Sequence, residues 1–151
     1  MTVSLTSRLA SLDDCSLLAE WNHQLIQDEG HNNPMTIEQL HERMRGWLAS
    51  GEYQAVIFKS QDVDVAYALF RETDDEIYLR QFFVARSQRR AKLGSQAIQK
   101  VFTDLWSHKK RWTVSVLVKN LPAVAFWRAM GYADYALTLE IMPNAQLPQG
   151  A

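Results

Sequence analysis

At 151 residues the chain fits one domain around a single core, and a formal charge of -1 excludes the strongly basic profile of a general nucleic-acid binder. One cysteine, Cys15, excludes an internal disulfide and a cysteine-rich zinc site. No run reaches membrane-spanning length and no secretory pattern precedes Asp13, so the expectation is a cytoplasmic protein that engages neither membrane nor nucleic acid and holds no metal.

Residues 3–9 alternate apolar and polar side chains, which predicts a strand. Ser11-Leu12-Asp13-Asp14 has the spacing of a capping box and predicts a helix start. Leu17, Leu18, Trp21, Leu25 and Ile26 then fall on one helical face, and Gly30 to Pro34 breaks the helix. Thr36-Ile37-Glu38-Gln39 is a second capping box; Ile37, Leu40, Met44, Trp47 and Leu48 form the next stripe, which Gly51 stops. Residues 53–58, 63–71 and 76–84 read as strands with short polar links, the pattern of an antiparallel meander.

A long helix follows, with Leu93, Ala97, Ile98, Val101, Phe102, Leu105 and Trp106 on its apolar face. Residues 112–118 read as a buried strand. Asn120-Leu121-Pro122 opens a short helix, with Ala123, Phe126, Trp127 and Met130 facing inward and Gly131 as its stop. Residues 135–142 alternate as a last strand. The order is β-α-α-β-β-β-α-β-α-β, an α/β (α+β) fold with a mixed sheet. The helix between the strands at Glu76 and Trp112 makes that pair parallel, with a right-handed crossover. Residues 1–142 form the one domain expected, and 143–151 a C-terminal tail.

The turn after residue 84 carries Arg86, Arg89, Arg90 and Lys92 and leads into the long helix. The first amides of a helix lack partners and its dipole favours negative charge, so this turn suits a phosphate-sized anion. It also lies at the carboxyl end of a parallel strand, where ligands of open α/β sheets bind.

Arg89-Arg90-Ala91-Lys92-Leu93-Gly94 resembles the Gln/Arg-x-x-Gly-x-Gly/Ala signature of the GNAT superfamily of N-acetyltransferases, with Lys92 in place of the first glycine. Asn120 followed by Ala123, Phe126, Trp127, Gly131 and Tyr132 resembles that superfamily's second element. The resemblance implies an acetyl-CoA cosubstrate, a splayed parallel strand pair and transfer of an acetyl group to a primary amine of a small molecule or peptide. Backbone amides of Arg89, Arg90, Ala91, Lys92, Leu93, Gly94 and Ser95 would hold the pyrophosphate. Phe83 and Val84 would pair with the pantetheine arm, and Asn120 would bond it from the other side. Arg86, Arg89 or the Lys109-Lys110-Arg111 cluster would meet the 3′-phosphate. Lys92-Leu93 continues the helical pattern, so Lys92 is expected in a helical conformation.

The tyrosine that many superfamily members use as a general acid is here Trp127, which cannot protonate a thiolate. Tyr132 is the substitute candidate. The strand before the basic turn offers Arg80 and Gln81, neither a base, so Glu29 and His31 are the candidates for base or acceptor contact. Trp21, Glu29 and Gln81 are the acceptor-site candidates, with Trp47 and Phe82 able to shape the site. Asp28 and Glu29 would favour a cationic acceptor. A non-catalytic acyl-CoA-binding sensor or subunit is the alternative, and an anion- or nucleic-acid-binding domain a more remote one. A homodimer stays open.

Overall fold

A computed structural model describes residues 4–30 and 32–150, and the side chains of all of these except Arg90 and Ala91. Its nine main elements are β1 (Leu5–Leu9), α1 (Cys15–Glu29), α2 (Ile37–Ser50), β2 (Gln54–Ser60), β3 (Val63–Glu72), β4 (Glu76–Val84), α3 (Leu93–Lys100), β5 (Arg111–Val114) and α4 (Leu121–Ala129). The expected order is matched through α4. The strands form one five-stranded mixed sheet in the order β1-β2-β3-β4-β5. The first three pairings are antiparallel and β4–β5 is parallel.

Local chemistry fixes several boundaries. Thr36 and Gln39 close a reciprocal capping box at α2: the Gln39 N–H donates to Thr36 Oγ1 at 3.2 Å and the Thr36 N–H to Gln39 Oε1 at 2.9 Å. Gly51 ends α2 at φ +79°, where a side chain would be strained. The box at Ser11 opens a short 3-10 turn, Leu12–Asp14, which passes directly into α1. Apolar side chains cover both faces of the sheet. On one face Leu93, Ala97, Ile98, Val101 and Trp127 pack against Phe58, Ala68, Phe70 and Leu79. On the other Leu18, Trp21 and Met44 pack against Tyr67, Leu69 and Phe83. Cys15 is buried in this second layer, consistent with a small apolar role.

Three expectations on the elements fail. The buried strand expected at 112–118 ends at Val114, where its ladder with β4 stops; none of its four residues is fully buried, and Leu117 and Val118 beyond it are exposed. The long helix is not uniformly α: after Lys100 it widens into a π turn, Val101–Leu105, closed by the Trp106 N–H donating to Val101 O at 3.0 Å. The wider turn delivers Trp106 into an aromatic cluster with Phe70, Phe102 and Trp112. The expected strand at 135–142 does not form. The Arg128 guanidinium grips Asp134 through two bonds, and the Arg111 guanidinium lies 4.2 Å above the Tyr135 ring. These contacts tether the segment beside the first residue of β5, and everything from 133 to 150 is exposed.

The feature that positions the site is a bulge. Leu69 pairs with Gln81 and Phe70 with Leu79, which leaves Arg80 without an opposite number on β3. The β4–β5 ladder also ends at Leu79↔Val114. A bulge bends its strand and adds twist, so β4 diverges from β5 just where the extra residue sits.

Candidate functional site

The divergence opens a cleft of about 360 Å³ between the carboxyl halves of β4 and β5. One wall is β4 from Leu79 to Val84. The other is Val114, Ser115, Val116, Asn120 and the α4 residues Pro122, Ala123, Phe126 and Trp127. Gly94 of α3 lies at the cleft, and Leu25, Asp28 and Glu29 reach it from the end of α1. Past Arg80, β4 keeps its ladder with β3 and has none with β5. Every other peptide group of an unpaired strand edge points outward, which is a template for an extended amide-bearing ligand.

Asn120 caps α4: its Oδ1 accepts from the Ala123 N–H at 3.3 Å. That leaves the carboxamide nitrogen to donate toward the cleft. On the opposite wall, Phe82 stacks with Phe126 and meets Trp127 edge-on. Trp127 itself is buried, so the cleft has an apolar side.

The basic turn is a 3-10 helix, Arg86–Ala91, followed by Lys92 at φ +58°, ψ +24°. Lys92 is therefore left-handed, not helical as its sequence pattern predicts. This backbone reversal separates the 3-10 turn from α3, whose second residue, Gly94, lines the cleft. A glycine would adopt the conformation without the Cβ clash that costs an L-residue roughly 1–2 kcal/mol. Lys92→Gly is expected to stabilise the fold, after the entropy cost of glycine, by about 0.5 kcal/mol, read as a melting rise of one or a few degrees. An unchanged or lower melting temperature would show that Lys92 is not strained.

Two guanidinium groups of the turn, those of Arg86 and Arg89, are already engaged. Arg86 Nη2 donates to Asp28 Oδ1 at 2.9 Å and Arg89 Nη2 to Asp28 Oδ2 at 2.6 Å. Arg89 Nε also donates to Val84 O at 2.9 Å, and its guanidinium lies 5.1 Å from the Phe83 ring centroid. Partial burial would raise the Asp28 carboxyl, but the bonds from Arg89 and then Arg86 outweigh it and hold it below the ordinary carboxylate range. Asp28 thus ties the end of α1 to the turn, and its charge is spent on that clamp, not offered to a cationic acceptor. The Lys109-Lys110-Arg111 cluster is also far from its expected task. Lys110 bonds Glu72 and Arg111 bonds Glu76, at the start of β4 and so at the other end of the sheet.

Of the catalytic candidates, Glu29 lines the cleft and His31 lies outside the described residues. Tyr132 packs against Phe102 and Trp127 away from the cleft lining, with its hydroxyl buried and unbonded. Burial pushes that hydroxyl's pKa up, so it stays neutral. Gln81 lines the cleft and accepts from the buried Tyr67 hydroxyl at 2.8 Å. Burial, followed by the Glu29 charge, raises the Tyr67 pKa, so Tyr67 remains a donor. Trp21 stacks on Tyr67 inside the core and does not itself line the cleft; it meets the lining residue Phe83 with ring centroids 5.7 Å apart. Ser115, just past the end of β5, is a polar cleft residue that sequence reading did not single out; its signal was a hydroxyl between Val114 and Val116, two residues after that of Thr113.

The sequence matches the acetyltransferase (GNAT) family over residues 16–132. The chain belongs to that family. Solved structures agree on the GNAT fold. A possible acetyltransferase from Clostridium difficile shares 16% identity over 93% of this chain and 99% of its own, with a TM-score of 0.75. An aminoglycoside 6'-N-acetyltransferase from Acinetobacter baumannii shares 13% identity over 95% and 100%, with a TM-score of 0.72. An aminoglycoside N-acetyltransferase in complex with CoA shares 13% over 96% and 98%, at 0.69. A comparison with curated proteins finds no match to the sequence. No helix among the described residues is long and apolar enough to cross a membrane, and no three metal-ligating side chains gather there.

Proposed function

We propose that this GNAT chain is an acetyl-CoA-dependent N-acetyltransferase of the cytoplasm, acting on a primary amine of a small molecule or peptide. The observation that carries the reading is the unpaired edge of β4 beyond the Arg80 bulge, open to a cleft with Asn120 opposite and the start of α3 at its end. These groups fit acetyl-CoA. Outward peptide groups near Phe83 and Val84 and the Asn120 carboxamide suit the amides of its arm, and the first amides of α3 at Leu93, Gly94 and Ser95 suit its pyrophosphate. Lys92 adds a cation beside them. When bound, acetyl-CoA supplies an activated acyl group on a thiolate that leaves tolerably, since a thiol has a pKa of about 8.5.

The chain's own contribution is placement and proton handling. Glu29, at the cleft, accepts the proton that the acceptor ammonium must lose. Outward N–H groups of β4 stabilise negative charge developing on the carbonyl oxygen. Phe82, Phe126 and Trp127 exclude water from one side. Among the described residues no tyrosine lines the cleft, and in this reading the departing sulfur would take its proton from solvent.

Acetyl-CoA at a hundred times its dissociation constant should stabilise the protein by about 2.7 kcal/mol, visible as a melting shift. Thiol release with a panel of amines then tests turnover. Binding without release from any amine would favour the non-catalytic sensor; no melting shift would end the acetyl-CoA reading.

A further inference from the structure

On the α1–α2 face of the sheet, beside the cleft, three guanidinium groups alternate with three aromatic rings. The Arg43 guanidinium carbon lies 4.5 Å from the Trp47 ring centroid and that of Arg80 lies 4.8 Å from the same ring. Arg80 also lies 5.6 Å from the Tyr53 ring, and Arg71 lies 5.4 Å from Tyr53 and 5.7 Å from Tyr78. Arg80 Nη1 donates to the Tyr53 hydroxyl at 3.2 Å, and Arg43 Nη2 reaches Asn22 Oδ1 at 3.4 Å.

Among the described residues none of the three pairs with a carboxylate, whereas Arg8, Arg86, Arg89, Arg111 and Arg128 all do. Arg43 Nε is buried with no bonding partner, and burial, then the nearby Arg80 charge, disfavours the Arg43 cation. Two like charges share one indole, one of them partly desolvated; the rings and the neutral acceptors offset part of that cost, and an oxyanion between the guanidinium groups would offset the rest. Arg80 is the bulge residue and lines the cleft next to Gln81, whereas Arg43 and Trp47 lie just outside the cleft lining, so Arg80 is the residue that links this pair of charges to the space left for an acceptor.

We propose that Arg43 and Arg80, both seated on Trp47, form an oxyanion subsite for the acceptor, which is therefore an amine that also carries a carboxylate or phosphate. The proposal rests on the transferase reading and narrows it: the acceptor is of the amino-acid or aminoalkyl-phosphate class, and polycations are disfavoured. Guanidinium forks suit either oxyanion through paired N–H donors.

The test is a calorimetric and melting screen at low salt, without acetyl-CoA, using glutamate, lysine, phosphoethanolamine, spermidine and kanamycin. Oxyanion-bearing amines should bind and the two polycations should not. Glutamate against phosphoethanolamine tells carboxylate from phosphate. Arg43→Met and Arg80→Met keep the apolar stems and should each weaken the binding about tenfold or more, with acetyl-CoA affinity unchanged. Polycations binding as tightly as the zwitterions, or no oxyanion amine binding, would overturn the subsite while acetyl-CoA binding upholds the transferase reading. Loss of acetyl-CoA binding in the wild type would instead remove both.

Discussion

Gly94→Glu is expected to lower acetyl-CoA affinity by about a hundredfold or more, which is about 2.7 kcal/mol, while leaving the ligand-free protein folded. A Cβ built at Gly94 meets Phe126 Cε1 at 3.6 Å and Val84 Cγ2 at 3.7 Å, ordinary contact distances. Alanine therefore fits, and by helix propensity it should add up to about 1 kcal/mol of stability. Glutamate fits the backbone equally well, and its charge suits the first turn of α3. The remainder of its side chain must leave the packed Val84–Phe126 contact for the cleft, where a carboxylate occupies the place proposed for pyrophosphate and repels it. Calorimetry on the three proteins separates the two effects. Gly94→Ala should bind acetyl-CoA nearly as the wild type does. Undiminished affinity in Gly94→Glu would mean that the first turn of α3 is not the phosphate site.

What the sequence revealed and what it hid divide by range. Capping chemistry is local, so Thr36 and Gln39 at α2 and Asn120 at α4 could be read directly. So could the parallel β4–β5 pair, because a helix of connecting length between two strands leaves little choice. The Arg80 bulge was not legible: it depends on which β3 residue faces which β4 residue, and no periodicity in residues 76–84 records the skipped partner. Lys92 misled for a related reason. Its side chain suits a helix, and its left-handed backbone is imposed by the junction of the 3-10 turn with α3. The charge reading failed at Asp28, where the partners Arg86 and Arg89 are distant in sequence. The same distance hid the meeting of Arg43 with Arg80 over Trp47. The alternation at 135–142 was legible as a pattern, but alternation alone supplies no ladder partner, and among the described residues the segment pairs with no strand.

Glu29→Gln should reduce turnover by about 100- to 10,000-fold, the range by which a positioned general base accelerates proton transfer, with acetyl-CoA affinity unchanged. Glutamine keeps the shape and length of glutamate and removes its charge and basicity; the Asp28 clamp, made by other side chains, should hold the end of α1 in place. The pH profile is the sharper readout. A primary alkyl amine has a pKa of about 10.4, so at neutral pH almost all of the acceptor is protonated. Without a base, only the small free-amine fraction reacts, and the variant's rate should climb about tenfold per pH unit until the amine itself titrates. With Glu29 present the ammonium loses its proton in the cleft, and the profile should be flatter over the same interval. The deficit of the variant should therefore shrink as pH rises. A variant that is slow by the same factor at every pH would place Glu29 in acceptor orientation, and one with wild-type turnover would remove it from the reaction.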